Sequence, residues 1–185
     1  MTIVSACARA KRLWSCWTGR WRATGHLGHV YALSGRLAEA QRLLDECLAV
    51  ARTQTRVDDA VWMAWLGEAQ LLAGRPAEAH DVATRALEVA REQYARGAEA
   101  MVRHLLGEIA SSAGSPDVAG ANAHYGSALT LAEEIGMQPL VAHCHTGLAR
   151  LCRRTGDPSA ADAHFATAAA LYRAMGMAHW LEQQR

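Results

Sequence analysis

Nine histidines and five cysteines are the side chains best able to do chemistry in this 185-residue sequence, and their densest grouping is His143-Cys144-His145. Imidazole and thiolate are common ligands for transition metals. Successive residues of a helix point about 100 degrees apart, so these three cannot close on one ion while the helix stays intact. A site here needs further ligands from a neighbouring helix, His104 or His124 being the candidates, and a closed zinc site takes four. The spacing supplies no such set. Ordinary packing or surface histidines are therefore expected, with no metal and no other cofactor. Cys144, Leu148 and Cys152 follow at steps of four, which reads as a buried stripe rather than a redox pair. The cysteines at 7, 16, 47, 144 and 152 contain no CxxC and read as reduced thiols of a cytoplasmic protein.

Catalytic loops are missing as well. Lys11 is the only lysine and follows Ala10, so no Gly-Lys-Ser/Thr phosphate loop exists, and neither Gly-x-Gly-x-x-Gly nor Gly-x-Ser-x-Gly occurs. The expectation is a protein that is not an enzyme. With 19 basic against 18 acidic side chains the chain lacks the clustered positive excess that nucleic acid requires. No run approaches the ~18 apolar residues of a membrane span, and Met1 to Trp21 has no apolar core with a cleavage site. That segment carries Arg9, Lys11, Arg12 and Arg20 among Trp14, Trp17 and Trp21. Residues 1–20 are expected to be an N-terminal helix packing its Trp and Leu13 face on the next helix, or the trimmed end of a preceding repeat, in preference to a membrane-surface helix.

What must position any site is legible in the small residues. Alanine occurs 39 times and aromatic residues make up only 6%, which calls for helices packed at close spacing. Four segments repeat a phrase. The first reads Leu27, Gly28, Tyr31, Gly35, Ala40, Leu44, Cys47, and the second Leu66, Gly67, Gln70, Gly74, Ala79, Ala83, Ala86. The third reads Leu106, Gly107, Ala110, Gly114, Ala121, Tyr125, Ala128, and the fourth Leu148, Ala149, Cys152, Gly156, Ala161, Phe165, Ala168. The leucines lie 39, 40 and 42 residues apart. A leucine followed by Gly or Ala makes a helix stripe with a notch for a close neighbour. The glycine at 35, 74, 114 and 156 suits a left-handed helix cap. Pro76, Pro116 or Pro158 then marks the first turn of a second helix in three repeats.

Each repeat is thus a helical hairpin, with helix pairs near 22–34 and 37–53, 58–73 and 76–94, 98–113 and 117–135, and 139–155 and 158–175. One hairpin cannot cover its own apolar face, so the fold class expected is all-α, a right-handed superhelical array of stacked hairpins. The repeats occupy 21–56, 57–96, 97–137 and 138–175. Residues 176–185, with Met177, Trp180 and Leu181 ahead of a polar end, read as a C-terminal cap.

The Leu-Gly-x-x-Tyr and Ala-x-x-x-Phe layout over residues 21–175 resembles the tetratricopeptide repeat, drawn out from its usual unit of about 34 residues. The phrases Leu131-Ala-Glu-Glu-Ile-Gly-Met137, Pro139-Leu-Val-Ala-His-Cys-His145, Leu151-Cys-Arg-Arg-Thr-Gly-Asp157 and Met175-Gly-Met-Ala-His-Trp-Leu181 look like the C-terminal repeat tails of bacterial signalling proteins that join a nucleotide cyclase domain to an ATPase module. That resemblance implies a regulatory or scaffolding segment and carries no catalytic residue across.

First helices usually line the concave side of such an array. With each repeat leucine counted as position 7, positions 2, 5, 9 and 12 face the groove. They are Arg22, Gly25, His29, Ala32; Val61, Ala64, Glu68, Leu71; Met101, His104, Glu108, Ser111; and His143, Thr146, Arg150, Arg153. The tetratricopeptide variety that grips a C-terminal carboxylate holds Lys and Asn at positions 5 and 9, which is not matched. His29, Glu68, Leu71, His104, Glu108, His143, Arg150 and Arg153 are the candidate partner-binding residues. Apolar in its middle and basic at Arg150, Arg153 and Arg154, the groove suits a protein or peptide partner with an apolar anchor and an acidic group. The three arginines serve equally well as a solvated helix end near the C-terminal dipole. A small ligand enclosed by the superhelix is the other occupant, and exposed apolar faces on the first helices would favour self-association.

Overall fold

The structure is a computed structural model that describes residues 22–54, 59–112 and 114–182. The expected N-terminal helix over 1–20 lies outside the described residues. Helix α1 spans 22–33, followed by α2 (Leu37–Gln54), α3 (Asp59–Leu72), α4 (Pro76–Glu92), α5 (Arg96–Ser112), α6 (Val118–Glu134), α7 (Gln138–Thr155), α8 (Pro158–Ala174) and the short α9 (Ala178–Glu182). Every regular element among the described residues is helical. The pairs α1/α2, α3/α4, α5/α6 and α7/α8 are the hairpins expected from the repeat, stacked in chain order.

Local chemistry explains the turns. Gly35, Gly74 and Gly156 adopt φ of 77°, 74° and 84°, and the residue after each returns its N–H to the preceding helix: Arg36 to Tyr31 O, Arg75 to Gln70 O and Asp157 to Cys152 O, each at 2.9 Å. Pro76 and Pro158 begin α4 and α8, where a missing N–H costs nothing. Asp157 caps α8 by accepting from the Ala160 N–H at 3.0 Å.

The third hairpin departs from the expected pattern. Gly114 is not among the positive-φ residues, and Pro116 precedes α6 by two positions instead of starting it. The connection from Ser112 to Val118 is longer, and Asp117 closes it. Its carboxylate accepts from the Gly120 N–H at 2.9 Å, and its own N–H reaches Ala110 O at 3.1 Å. A second turn type joins one hairpin to the next. Tyr94, Gly136 and Gly176 take φ of 53°, 73° and 69°, and Ala95, Met137 and Met177 donate to Ala90 O, Ala132 O and Tyr172 O at 2.8, 2.8 and 2.9 Å.

Each first helix packs on the hairpin before it: α3 on α2, α5 on α4, α7 on α6 and α9 on α8. The first helices α3, α5 and α7 also touch in succession, whereas α4, α6 and α8 make no contact with one another. Every contact between hairpins involves the first helix of the later one, and only first helices also touch each other, which curves the stack toward them. The interior is built from small groups, with Ala79, Ala83, Ala86 and Ala90 of α4 fully buried. The glycine notches take the large residues. A methyl group on Gly28 would meet Leu44 at 3.0 Å, and one on Gly67 would meet Leu105 at 2.8 Å. On Gly107 or Gly147 it would meet the Tyr125 ring at 2.7 or 2.5 Å.

Candidate partner-binding face

The candidate residues come from the first helices, and the structure pairs most of them with each other. His29 of α1 places Nε2 at 2.9 Å from Glu68 Oε2 of α3, and its ring stacks on Trp65 with centroids 4.8 Å apart and planes 7° from parallel. One hairpin further on, Glu108 of α5 accepts a hydrogen bond from the Tyr125 hydroxyl at 2.9 Å, while Arg150 of α7 approaches it at 3.9 Å. His104 lies 3.7 Å from Glu108 and faces His143 across α5 and α7, with ring centroids 6.2 Å apart.

His143 is enclosed by α8 and α9. Its Nδ1 sits 2.7 Å from the Tyr172 hydroxyl of α8, and Trp180 of α9 meets its ring edge-on at 4.5 Å. Burial, with His104 next to it, pushes its pKa down to about 4, so the ring is neutral at physiological pH. Burial also raises the Tyr125 hydroxyl well above the ordinary tyrosine value, with the Glu108 carboxylate adding to the effect. Tyr125 therefore acts as a fixed donor, and Glu108 as a carboxylate held between a hydroxyl and a guanidinium.

Two candidates point elsewhere. Leu71 packs, partly buried, against the core cluster shared by α3, α4 and α5. Arg153 lies over the Phe165 ring of α8 at 4.6 Å and 3.8 Å from Asp162, so it belongs to the α7/α8 seam. Position 12 accordingly faces hairpin partners more than the groove. Arg154 is engaged too, donating to Ser111 O of α5. Arg150 and Arg153 nonetheless keep 53% and 61% of their side-chain surface exposed.

Some residues were not legible as part of this face. Trp62 and Trp65 line, with Arg22, His26 and Val61, a cavity of about 260 Å³ between α1 and α3. The Trp65 indole N–H is buried there without an acceptor. Trp65 occupies the repeat position held by Leu105 and Gly147, so no recurring residue type marks it. Tyr172 and Trp180 likewise belong to no repeated phrase on the first helices.

Cys47 and Cys144 are buried, and burial pushes their thiols up to about 11 and about 12. Neither is a nucleophile at neutral pH. Among the described residues no three His, Cys, Asp or Glu side chains are grouped to hold a metal ion, and no helix is long and apolar enough to cross a membrane.

Comparison with known proteins agrees with the geometry. Residues 21–92 and 142–167 match family models described as tetratricopeptide repeat. No curated protein is a significant match to the sequence. Among solved structures, BtubC (BKLC) from P. vanneervenii aligns with a TM-score of 0.65 at 19% identity, over 84% of this chain and 64% of that one. This chain therefore spans less than two thirds of that protein. A Podosopora anserina chain described as a kinesin light chain with nearly identical TPR-like repeats aligns with a TM-score of 0.63 at 16% identity, over 89% of this chain and 91% of that one. At such identities the likeness concerns the fold alone.

Proposed function

We propose that this chain, which carries tetratricopeptide repeats, is a non-enzymatic interaction module that holds a peptide or helix of a protein partner against its first helices. Such repeats generally mediate protein association. The observation that carries the reading is the succession of α3, α5 and α7, which lays His29, Glu68, His104, Glu108 and Arg150 along one continuous face. Glu68 and Arg150 keep 36% and 53% of their side-chain surface exposed, so both can still meet a partner. An amphipathic segment with an apolar anchor and both signs of charge fits this row. A bacterial signalling or transcription setting is supported by the wording of residues 131–181 alone.

The test uses charge reversal with an internal contrast. A partner captured by the intact chain should bind Arg150→Glu at least tenfold more weakly, about 1.4 kcal/mol, and Arg42→Glu, on the second helix α2, with little change. Equal affinities for wild type and Arg150→Glu, with helicity intact, would sink the proposal. A second reading, a small-molecule sensor, is favoured by the Trp62/Trp65 cavity. A compound seated there raises the melting temperature of the wild-type chain and leaves Trp65→Leu unmoved.

A further inference from the structure

Inside the fourth hairpin His145 of α7 and His164 of α8 face each other with their Nδ1 atoms 2.9 Å apart. Their ring centroids are separated by 5.2 Å. The difference between those distances is what two ring radii account for, so the nitrogens lie on the line of centres and point at one another. Two bare lone pairs in that arrangement repel, whereas one proton between them makes a hydrogen bond. One ring must therefore carry its proton on Nδ1 and donate, and the other must carry its proton on Nε2 and accept.

We propose that the His145/His164 pair is a proton-sensitive clip that fastens α8 to α7 and opens when both rings are charged. One added proton strengthens the clip, because an imidazolium N–H then donates to a neutral imidazole. A second puts hydrogens on both Nδ1 atoms, head to head, and the bond becomes a repulsion between like charges.

The surroundings decide how easily that happens. From α6, Glu133 favours charge on His145. From α5, His104 and Glu108 are directed at His143 and Arg150. On α8, Asp162 is taken up by Arg153, and on α9 His179 stands beside Trp180. Burial first, and then His164, hold the His145 pKa below its ordinary value. A folded-state His145 pKa below the unfolded one means that its share of stability is complete above about pH 6.5 and is lost as the pH falls through the folded value, the step at which both rings are charged. The location matters: among the described elements α8 is held only by α7 and α9. A helix held by few neighbours can open without unfolding the rest.

Nitrogen-resolved NMR of the histidines in the full chain tests the clip directly. At pH 8 one of the two rings should be in the Nδ1–H form, and acidification should produce two separated protonation steps. Amide exchange in α8 should accelerate at the second step, ahead of α3 to α6. His164→Gln should remove at least half of the acid-induced acceleration in α8 between pH 6.5 and 5. His143→Gln, which removes a different buried imidazole, should leave the paired titration intact. Two rings both protonated on Nε2 at pH 8, or two independent single steps, would overturn the proposal. So would equimolar zinc chloride that raises the wild-type melting temperature but not that of His164→Gln, since the pair would then be holding an ion in place of a proton.

Discussion

In the third hairpin the notch at Gly107 is filled from within, by Tyr125 of its own second helix, whereas in the second hairpin the notch at Gly67 is filled from outside, by Leu105 of the hairpin that follows. The cause is a single position. Where the third hairpin holds Tyr125, the second holds Ala83, which is too small to reach its own first helix. The bulk missing from α4 is supplied by α5. Tyr125 also reaches forward, its ring lying between Gly107 and Gly147, so one side chain fills a notch and locks the next hairpin. Repeats of the same phrase therefore differ in what they depend on. The second hairpin leans on its successor, and the third is closed by itself and supports its successor.

Removing the ring should have the largest effect. Tyr125→Ala empties a slot walled by two glycines and leaves Glu108 without its hydroxyl donor, for a loss of about 3–5 kcal/mol in urea unfolding. Hydrogen exchange should place the damage in α5, α6 and α7 together. Leu105→Ala is next, at about 2–4 kcal/mol. The double variant Ala83→Leu with Leu105→Ala should recover part of that loss by filling the Gly67 notch from within. No recovery would break the comparison, because the notch would then not be indifferent to the source of its filling.

Gly147→Ala forces the Tyr125 ring against Gly107 and should cost about 1–3 kcal/mol by overpacking. The same change at Gly126, where an added methyl meets nothing, should be neutral or slightly stabilising. A smaller loss than that at Gly147 is tied to pH. His143 stays neutral in the fold down to about 4 and takes a proton near 6.5 when unfolded. Its share of stability is whole above that upper value and falls as the pH drops, by about 1 kcal/mol at pH 5.5. Wild type and His143→Gln melted side by side at pH 7.5 and 5.5 would reveal it as a difference of differences.

The hairpins could be read from the residues because punctuation is local. Gly35, Gly74 and Gly156 stop helices, Pro76 and Pro158 start them, and the Leu-Gly pair marks the close approach wherever it occurs. Tyr94 escaped the same reading because it does with a side chain what Gly136 and Gly176 do without one. Gly147 escaped because it stands one residue ahead of Leu148, out of step with the other notches, and only the placement of Tyr125 gives it meaning. The row of first-helix positions was legible as a list of residues. Its pairings were not, since the distance from Glu108 to Arg150, or from His143 to Tyr172, is set by how one hairpin rotates on the next. Arg153 shows the limit most plainly: the same register that brings Arg150 to Glu108 swings a residue three places later onto Phe165.

The contact between successive first helices, with none between successive second helices, also has a mechanical meaning. One edge of the stack is held by first helix directly against first helix, and the opposite edge is joined only through the seam of each second helix with the first helix that follows, so it can fan by small shifts at those seams. Such a body bends far more readily than it extends, so a guest of slightly different girth can be met by a change of pitch along the whole array instead of a rearrangement at any one residue.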